Sequence, residues 1–233
     1  MGEPRQLGGL TSPGLEQGRT LLVPLGSTEQ HGPHLPLDTD TRIAAAVAGA
    51  AAELLGHLLA PAMPYGAAGE HQGFPGTVSI GTAALEAVLV ECGRSACDWA
   101  ARLVFVNGHG GNVEALRSAV ALLRREGRDV AWCTPAAGQV TDTHAGHAET
   151  SVLLHLSPQL VRTGEFRPGN TEPLSDLMPR LRAGGMRAVS ESGVLGDPTT
   201  ATASDGERLF AGMVEDCVNR MRRWQPRSDG MLV

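Results

Sequence analysis

The chain has 233 residues, of which 42% are hydrophobic and 19% are charged, and this length suits one enzyme-sized domain rather than two. Its 19 basic residues are outnumbered by 25 acidic ones, which gives a formal net charge of −6. The arginines form no long basic stretch, so the sequence disfavours nucleic acid as a partner.

Membrane segments and targeting signals are not visible in the sequence. The most apolar stretch, residues 43–59, is mostly alanine and is interrupted by Glu53 and His57, so we expect no membrane span and no membrane partner. Residues 1–5 lack the apolar segment of a secretory signal. The four cysteines form no closely spaced pair, which favours buried thiols in a reducing compartment. We therefore expect a cytoplasmic protein.

Short apolar segments alternate with amphipathic ones along the chain. The apolar segments predict strands at residues 20–25, 58–63, 102–106 and 129–134. The amphipathic segments predict helices at residues 40–55, 82–100, 113–123, 148–156 and 205–223. This alternation predicts an α/β fold, a three-layer αβα sandwich whose mainly parallel sheet is covered by helices on both faces. Residues 163–204 show weak periodicity and are expected to be irregular, a lid or an oligomer contact.

Residues that can bind metal ions follow the predicted strands instead of lying on helix surfaces. Five of them are Glu29, His31, Asp40, His109 and Glu149. The carboxyl ends of parallel strands meet at one edge of the sheet, where such folds place their chemistry. Five nitrogen and oxygen donors exceed what one structural zinc ion needs. They suit two ions about 3.5 to 4 Å apart, with one bridging carboxylate and room for a hydroxide.

Each residue also has an ordinary structural interpretation. A lone histidine in a glycine-rich loop, such as His34 or His71, more often supports a turn than performs chemistry. An acid after a strand, such as Asp40 or Glu149, often caps a helix. The turn at residues 107–112 could instead bind an anion, as glycine-rich loops before helices do. The combination favours a metal site, because unrelated turns have no reason to collect five such ligands.

Four segments resemble, in order and spacing, the motifs of the creatininase family of metal-dependent amidohydrolases. They are PLGSTEQHGPHLPLDTD at 24–40, GEHQGFPGT at 69–77, NGHGGN at 107–112 and HAGHAETS at 144–151. The resemblance implies a single creatininase-like catalytic domain over residues 1–233 and a homo-oligomer. Within the family, the motifs are most similar to a peptidase branch that removes a C-terminal dipeptide from a modified precursor peptide.

The resemblance also assigns roles to individual residues. It implies that five residues bind two divalent metal ions: Glu29, His31, Asp40, His109 and Glu149. Asp40 matches the bridging position, and His144 matches the histidine that handles protons. Three further residues are expected to orient substrate or to support these ligands: His34, His71 and Gly110. Zinc, iron and manganese all accept such donors, so the sequence does not choose among them.

Two positions depart from the pattern of creatininase itself. Creatininase takes a ligand two residues after the turn histidine, where this chain has Gly111, and Glu149 is therefore expected to fill that role. The tryptophans that close over creatinine have no counterpart between Ala145 and Ser204. This second departure disfavours creatinine as the substrate.

The leading hypothesis is a hydrolase that cleaves an amide bond in a peptide. In it, a hydroxide that bridges the two ions attacks the carbonyl carbon, and His144 gives a proton to the departing nitrogen. One alternative is a small cyclic amide or formamide hydrolase that uses the same metals. Another is a catalytically silent, metal-dependent scaffold subunit of a biosynthetic complex, which the intact ligand set disfavours.

Overall fold

The computed structural model describes residues 5–15, 18–136 and 143–233. Five parallel strands form one sheet in the order β1-β3-β2-β4-β5. They are β1 Arg5–Gln6, β2 Thr20–Leu25, β3 Leu58–Leu59, β4 Arg102–Asn107 and β5 Val130–Cys133. The central strands β2 and β4 pair along their whole length, with Leu25 opposite Asn107. Their carboxyl ends therefore open at the same edge of the sheet.

Helices cover both faces of this sheet. They are α1 Thr39–Leu55, α2 Thr82–Ala96, α3 Val113–Arg125, α4 His147–Leu156, α5 Leu174–Gly184 and α6 Ala203–Arg223. Side chains of α1, α4 and α6 share one buried cluster with Leu22 and Val104, and α2 and α3 share another with Leu21 and Phe105. Adjacent strand residues point to opposite faces, and both faces are covered, so residues 21–25 of β2 and 103–106 of β4 are all apolar. The predicted α/β three-layer fold is confirmed.

The second predicted strand is shorter than expected. It was predicted over residues 58–63, but β3 ends at Leu59. The chain still runs beside β2, where the Ala60 amide donates to the Leu22 carbonyl and the Met63 amide to the Pro24 carbonyl, both at 2.9 Å. The two amides are three residues apart and their acceptors are two residues apart, so this segment holds one extra residue. Pro24 also has no backbone N–H to donate back to it, and the ladder is interrupted there.

The segment 163–204 contains a helix that its weak periodicity did not reveal. Helix α5 buries only Leu177 completely and contains Pro179, so its sequence carries little of the apolar repeat that predicts helices. Leu177 packs with Met186, Val189 and Leu195 in a small apolar cluster. The prediction of an irregular segment was therefore wrong at residues 174–184.

The four cysteines are buried to different extents. Cys133 and Cys217 are buried, with their Sγ atoms 3.3 Å apart, but Cys92 is exposed. The expectation of buried thiols is therefore confirmed at Cys133 and Cys217 and wrong at Cys92.

Among the described residues, no helix is long and apolar enough to cross a membrane. The first four residues, which are part of the stretch expected to carry no signal segment, lie outside the described ranges. The single catalytic domain over residues 1–233 stays a prediction.

Candidate metal centre

The first turn of α1 packs directly against the end of β4. A Cβ atom at residue 108 would lie 2.5 Å from the Asp40 carbonyl oxygen, so only glycine permits this approach. The Gly108 amide also donates to the Leu25 carbonyl at 2.8 Å, which ties the ends of β2 and β4 together. As a result, Asp40 reaches the loop that carries His109.

Two asparagines hold the turn that follows β4. The Asn107 side-chain amide donates to the His109 carbonyl at 2.7 Å. The Asn112 side-chain amide donates to the Gly26 carbonyl at 3.0 Å and to Asn107 Oδ1 at 3.1 Å. Because these groups are buried, their hydrogen bonds fix the backbone on both sides of His109.

The structure brings the five residues predicted as ligands together in two overlapping groups. One group is Glu29, Asp40 and His109, and the other is His31, Asp40 and Glu149. Within each group the candidate ligand atoms lie within 4.8 Å of one another. Asp40 is the member that these two groups share, and a third group of the same kind joins Glu29 and His31 to His144.

Asp40 directs one carboxylate oxygen towards each group. Its Oδ1 lies 3.1 Å from His31 Nε2, and its Oδ2 lies 3.2 Å from His109 Nδ1. The His109 Nδ1 atom is also 3.1 Å from Glu29 Oε2, and His31 Nε2 is 3.9 Å from Glu149 Oε2. This is the arrangement expected of a carboxylate that bridges two ions.

The chemistry of the buried acids fits bound cations. Both carboxylate oxygens of Glu29 and the Oδ2 atom of Asp40 are buried and accept no hydrogen bond of acceptable geometry. Buried carboxylate oxygens that accept no hydrogen bond are costly, and metal ions commonly satisfy them. Glu149 is partly exposed, and its Oε2 accepts a hydrogen bond from the Ala145 amide at 2.6 Å.

The acids also retain protons on two of the imidazoles when no metal is bound. Burial opposes a charge on His31, but the carboxylates of Asp40, Glu149 and Glu29 together outweigh burial and raise the pKa of His31 to about 10. Burial likewise opposes a charge on His109, but its contacts with Asp40 and Glu29 raise its pKa well above the usual value. Metal ions bind neutral imidazole, so they would displace these protons.

His144 and His71 lie beside the ligand groups and are joined by Gln30. His144 Nε2 donates to the Gln30 carbonyl at 2.9 Å, which leaves Nδ1 unprotonated and 3.9 Å from Glu29 Oε1. The Gln30 side-chain amide donates to His71 Nδ1 at 2.9 Å, and His71 Nε2 lies 3.2 Å from Glu29 Oε1. Burial and the nearby His31 and His71 hold the pKa of His144 well below its usual value.

The structure separates His34 from this group. His34 is buried, and its Nε2 lies 3.0 Å from the Thr150 hydroxyl, so it supports the loop and helix that carry Glu149. Burial lowers the pKa of His34 to about 4. Gly110 lines the cavity beside His109 and His144, and its role stays a prediction.

Two polar residues of the site were missed by the sequence interpretation. Gln30 is one of them, and it lies between two predicted ligands. The other is Glu70, whose Oε1 lies 3.3 Å from His109 Nε2. A carboxylate on the second ring nitrogen of a ligand histidine commonly orients the ring towards its metal. The only available signal was the position of Glu70 immediately before His71 in the second motif.

Replacing Gly111 with alanine is expected to destabilise the protein by about 1 to 3 kcal/mol and to weaken metal binding. A Cβ atom there would lie 2.5 Å from His109 Nε2 and 2.6 Å from Glu70 Oε1, and it would also collide with the Ala67 carbonyl oxygen. Thermal unfolding and elemental analysis measure the two effects. Gly110→Ala is the matched control, because a Cβ there would meet no atom within 4 Å. Equal stability and metal content of the two variants would contradict this prediction.

A cavity of about 1020 Å³ opens from this centre to solvent. Its inner end is lined by Glu70, His71, His109 and His144. Its outer part lies between α3 and α5. A ligand much larger than a single ring can therefore reach the candidate metal centre.

Comparison with known proteins identifies the family. A profile of the creatininase family, described as creatinine amidohydrolase, matches residues 10–221. The chain belongs to the creatininase family. Members of the creatininase family are metal-dependent amidohydrolases.

Several relatives in the creatininase family are similar over most of their length. The mycofactocin precursor peptide peptidase of Mycolicibacterium smegmatis is 66% identical over 218 residues, which cover 91% of this chain and 88% of that protein. The peptidase of the same name from Mycobacterium tuberculosis is 61% identical, with 97% and 94% covered. Creatinine amidohydrolase of Pseudomonas putida is 30% identical, with 88% and 90% covered.

Solved structures of creatininase share the fold. A mutant creatininase complexed with creatine has a TM-score of 0.78 and 28% identity, with 95% of this chain and 99% of that chain covered. A manganese form of creatininase has a TM-score of 0.76 and 26% identity, with 95% and 99% covered. A mutant described as the Zn-Zn type has a TM-score of 0.77 and 26% identity, with 95% and 98% covered.

Proposed function

We propose that this protein is a dinuclear metal-dependent peptidase that removes the C-terminal dipeptide from the modified mycofactocin precursor peptide. The observation that carries the proposal is the position of Asp40, which belongs to both ligand groups, one of which reaches a large cavity through His109. The names of the relatives at 61 to 66% identity support the peptide substrate.

In this proposal, Glu29, Asp40 and His109 would hold one ion, and His31, Asp40 and Glu149 would hold the other. The nitrogen and oxygen donors suit zinc, iron or manganese. When bound, such ions supply Lewis acidity, which activates water and polarises a scissile carbonyl group. Glu70 Oε1 lies beside His109 Nε2, which leaves Nδ1 as the atom that would bind the ion.

His144 moves the proton. Its Nε2 is engaged by the Gln30 carbonyl, so the free Nδ1 is the atom that accepts a proton from the attacking water. The same atom then gives that proton to the departing nitrogen, which is a poor leaving group until it is protonated. In this proposal, backbone amides near Gly110 would assist the developing oxyanion.

Incubation of the metal-loaded protein with the modified precursor peptide, creatinine and a formamide tests the proposal, with products followed by mass spectrometry. We expect release of a C-terminal dipeptide and no turnover of the two small amides. Turnover of creatinine or the formamide without peptide cleavage would favour the small-amide hydrolase. Less than one metal equivalent and no turnover would favour the silent scaffold.

A cytoplasmic location and a homo-oligomeric state are also part of the proposal. Both come from the sequence and from the family resemblance.

A further inference from the structure

The cavity that leads from the candidate metal centre has walls of different chemistry. Beyond the residues around the metal centre, α5 and the segment after it contribute the apolar side chains Met178, Leu181, Met186 and Leu195. Helix α3 contributes Glu114 and Arg117 on the other side. The two walls are therefore suited to different parts of a ligand.

The apolar wall is not fully covered by the protein itself. Met178 and Leu181 are half-buried, and Leu174 beside them is 38% exposed and also lines the cavity. Metal binding and proton transfer use none of these side chains. Exposed apolar surface inside a cavity of this kind is typical of a ligand site, because a bound apolar group removes it from water.

The outer part of the cavity carries two cations. Arg117 is 58% exposed, with its Nε 3.3 Å from Asp229 Oδ2. Arg182, on α5, is exposed and has no ion-pair or hydrogen-bond partner among residues 5–15, 18–136 and 143–233. Glu114 also lines this part of the cavity and Asp229 pairs with Arg117, so of the two arginines only Arg182 is left without a paired carboxylate among the described residues. An anionic group of a ligand would be attracted there.

We propose that this cavity selects peptides that place a large apolar side chain beside the cleaved amide and a carboxylate against Arg182. The proposal rests on the peptidase function above and adds to it the side chains that determine specificity. Met178 and Leu181 contact the apolar group, and Arg182 pairs with the carboxylate. That carboxylate belongs either to an aspartate or glutamate side chain or to the C-terminus of the peptide.

The apolar part is tested with the metal-loaded full chain and short synthetic peptides that carry leucine or alanine next to the cleaved bond. We expect kcat/KM to be at least about 10-fold higher for leucine, which is typical of a side chain that fills an apolar pocket. Met178→Ala and Leu181→Ala should bring this ratio towards one, and Met178→Leu should keep it. Val88→Ala, an exposed apolar site on α2, is the control. A ratio that the alanine variants leave unchanged would overturn this part.

The carboxylate part is tested by charge reversal at Arg182. Arg182→Glu should raise KM about 10-fold for peptides that carry the recognised carboxylate, an effect of the size seen for partly exposed charge pairs at binding sites. Arg180→Glu is the matched control, because Arg180 lies on the same helix but pairs with Glu172 at 2.8 Å outside the cavity. Peptides with aspartate or asparagine, and with a free or amidated C-terminus, distinguish the two sources. Equal KM values for the aspartate, asparagine, free C-terminal and amidated peptides would overturn the carboxylate part of the proposal.

Failure of the peptidase function has a different signature. If the wild-type protein cleaves none of the peptides, the proposed function fails. Binding of the same peptides, measured by fluorescence anisotropy with the same variants, then still decides the inference. Loss of the leucine preference and of the charge dependence in binding would overturn it.

Discussion

Asp40→Asn is expected to abolish hydrolysis and to leave less than one equivalent of metal on the protein. Asp40 contributes one oxygen to each ligand group, so an amide there weakens both ion sites at once. The loss of turnover should exceed the roughly 10- to 100-fold effect of residues that only orient metal ligands. Elemental analysis of protein purified without chelator and a peptide hydrolysis assay measure the two outcomes.

Asp38→Asn is the matched control for this experiment. Asp38 precedes α1 and is partly exposed, and its Oδ1 pairs with Arg42 Nε at 2.8 Å. Exposed pairs of this kind contribute little to stability, about 0 to 1 kcal/mol. Normal metal content in the control and reduced content in Asp40→Asn would support the bridging role. Two equivalents in both variants would refute it.

His144→Ala is expected to reduce turnover by about 100- to 10,000-fold, the range typical of a lost proton donor or acceptor. Its metal content should stay at two equivalents, because the two ligand groups that share Asp40 do not include His144. Peptide hydrolysis and elemental analysis on the same preparation measure both quantities. Retained turnover would refute the proton-transfer role.

His147→Ala is the control, because His147 lies three residues later and its ring contacts the Thr200 hydroxyl at 2.9 Å. A lower metal content in His144→Ala would assign His144 another role. Its ring also lies within ligand distance of Glu29 and His31. Loss of one metal equivalent in His144→Ala would therefore identify it as a ligand.

The alternation of strands and helices predicted the layers of the fold because both faces of β2 and β4 are buried. Continuous apolar segments such as residues 20–25 are the signature of such strands, and the observed β2 has the predicted bounds. The sequence predicted α5 poorly for the opposite reason. A helix that buries one side chain completely has little periodicity to detect.

The position of Asp40 shows what a local pattern leaves open. From the sequence alone, Asp40 had an ordinary interpretation as a helix cap. In the structure the cap position of α1 is Asp38, and the Asp40 carboxylate turns towards His31 and His109. Whether Asp40 caps the helix or faces the two histidines depends on the close approach of α1 to Gly108. This is a contact between segments almost 70 residues apart.

The residue types, their order and their positions after strands were enough to determine the fold class, the family and a candidate set of metal ligands. Hydrophobic periodicity and short motifs are local properties, so a single sequence displays them. The contacts of Gln30 with His71 and His144, the contact of Glu70 with His109, and the walls of the cavity came only from the tertiary structure. They join side chains from distant segments, and their distances depend on how α1, α3 and α5 pack at one edge of the sheet.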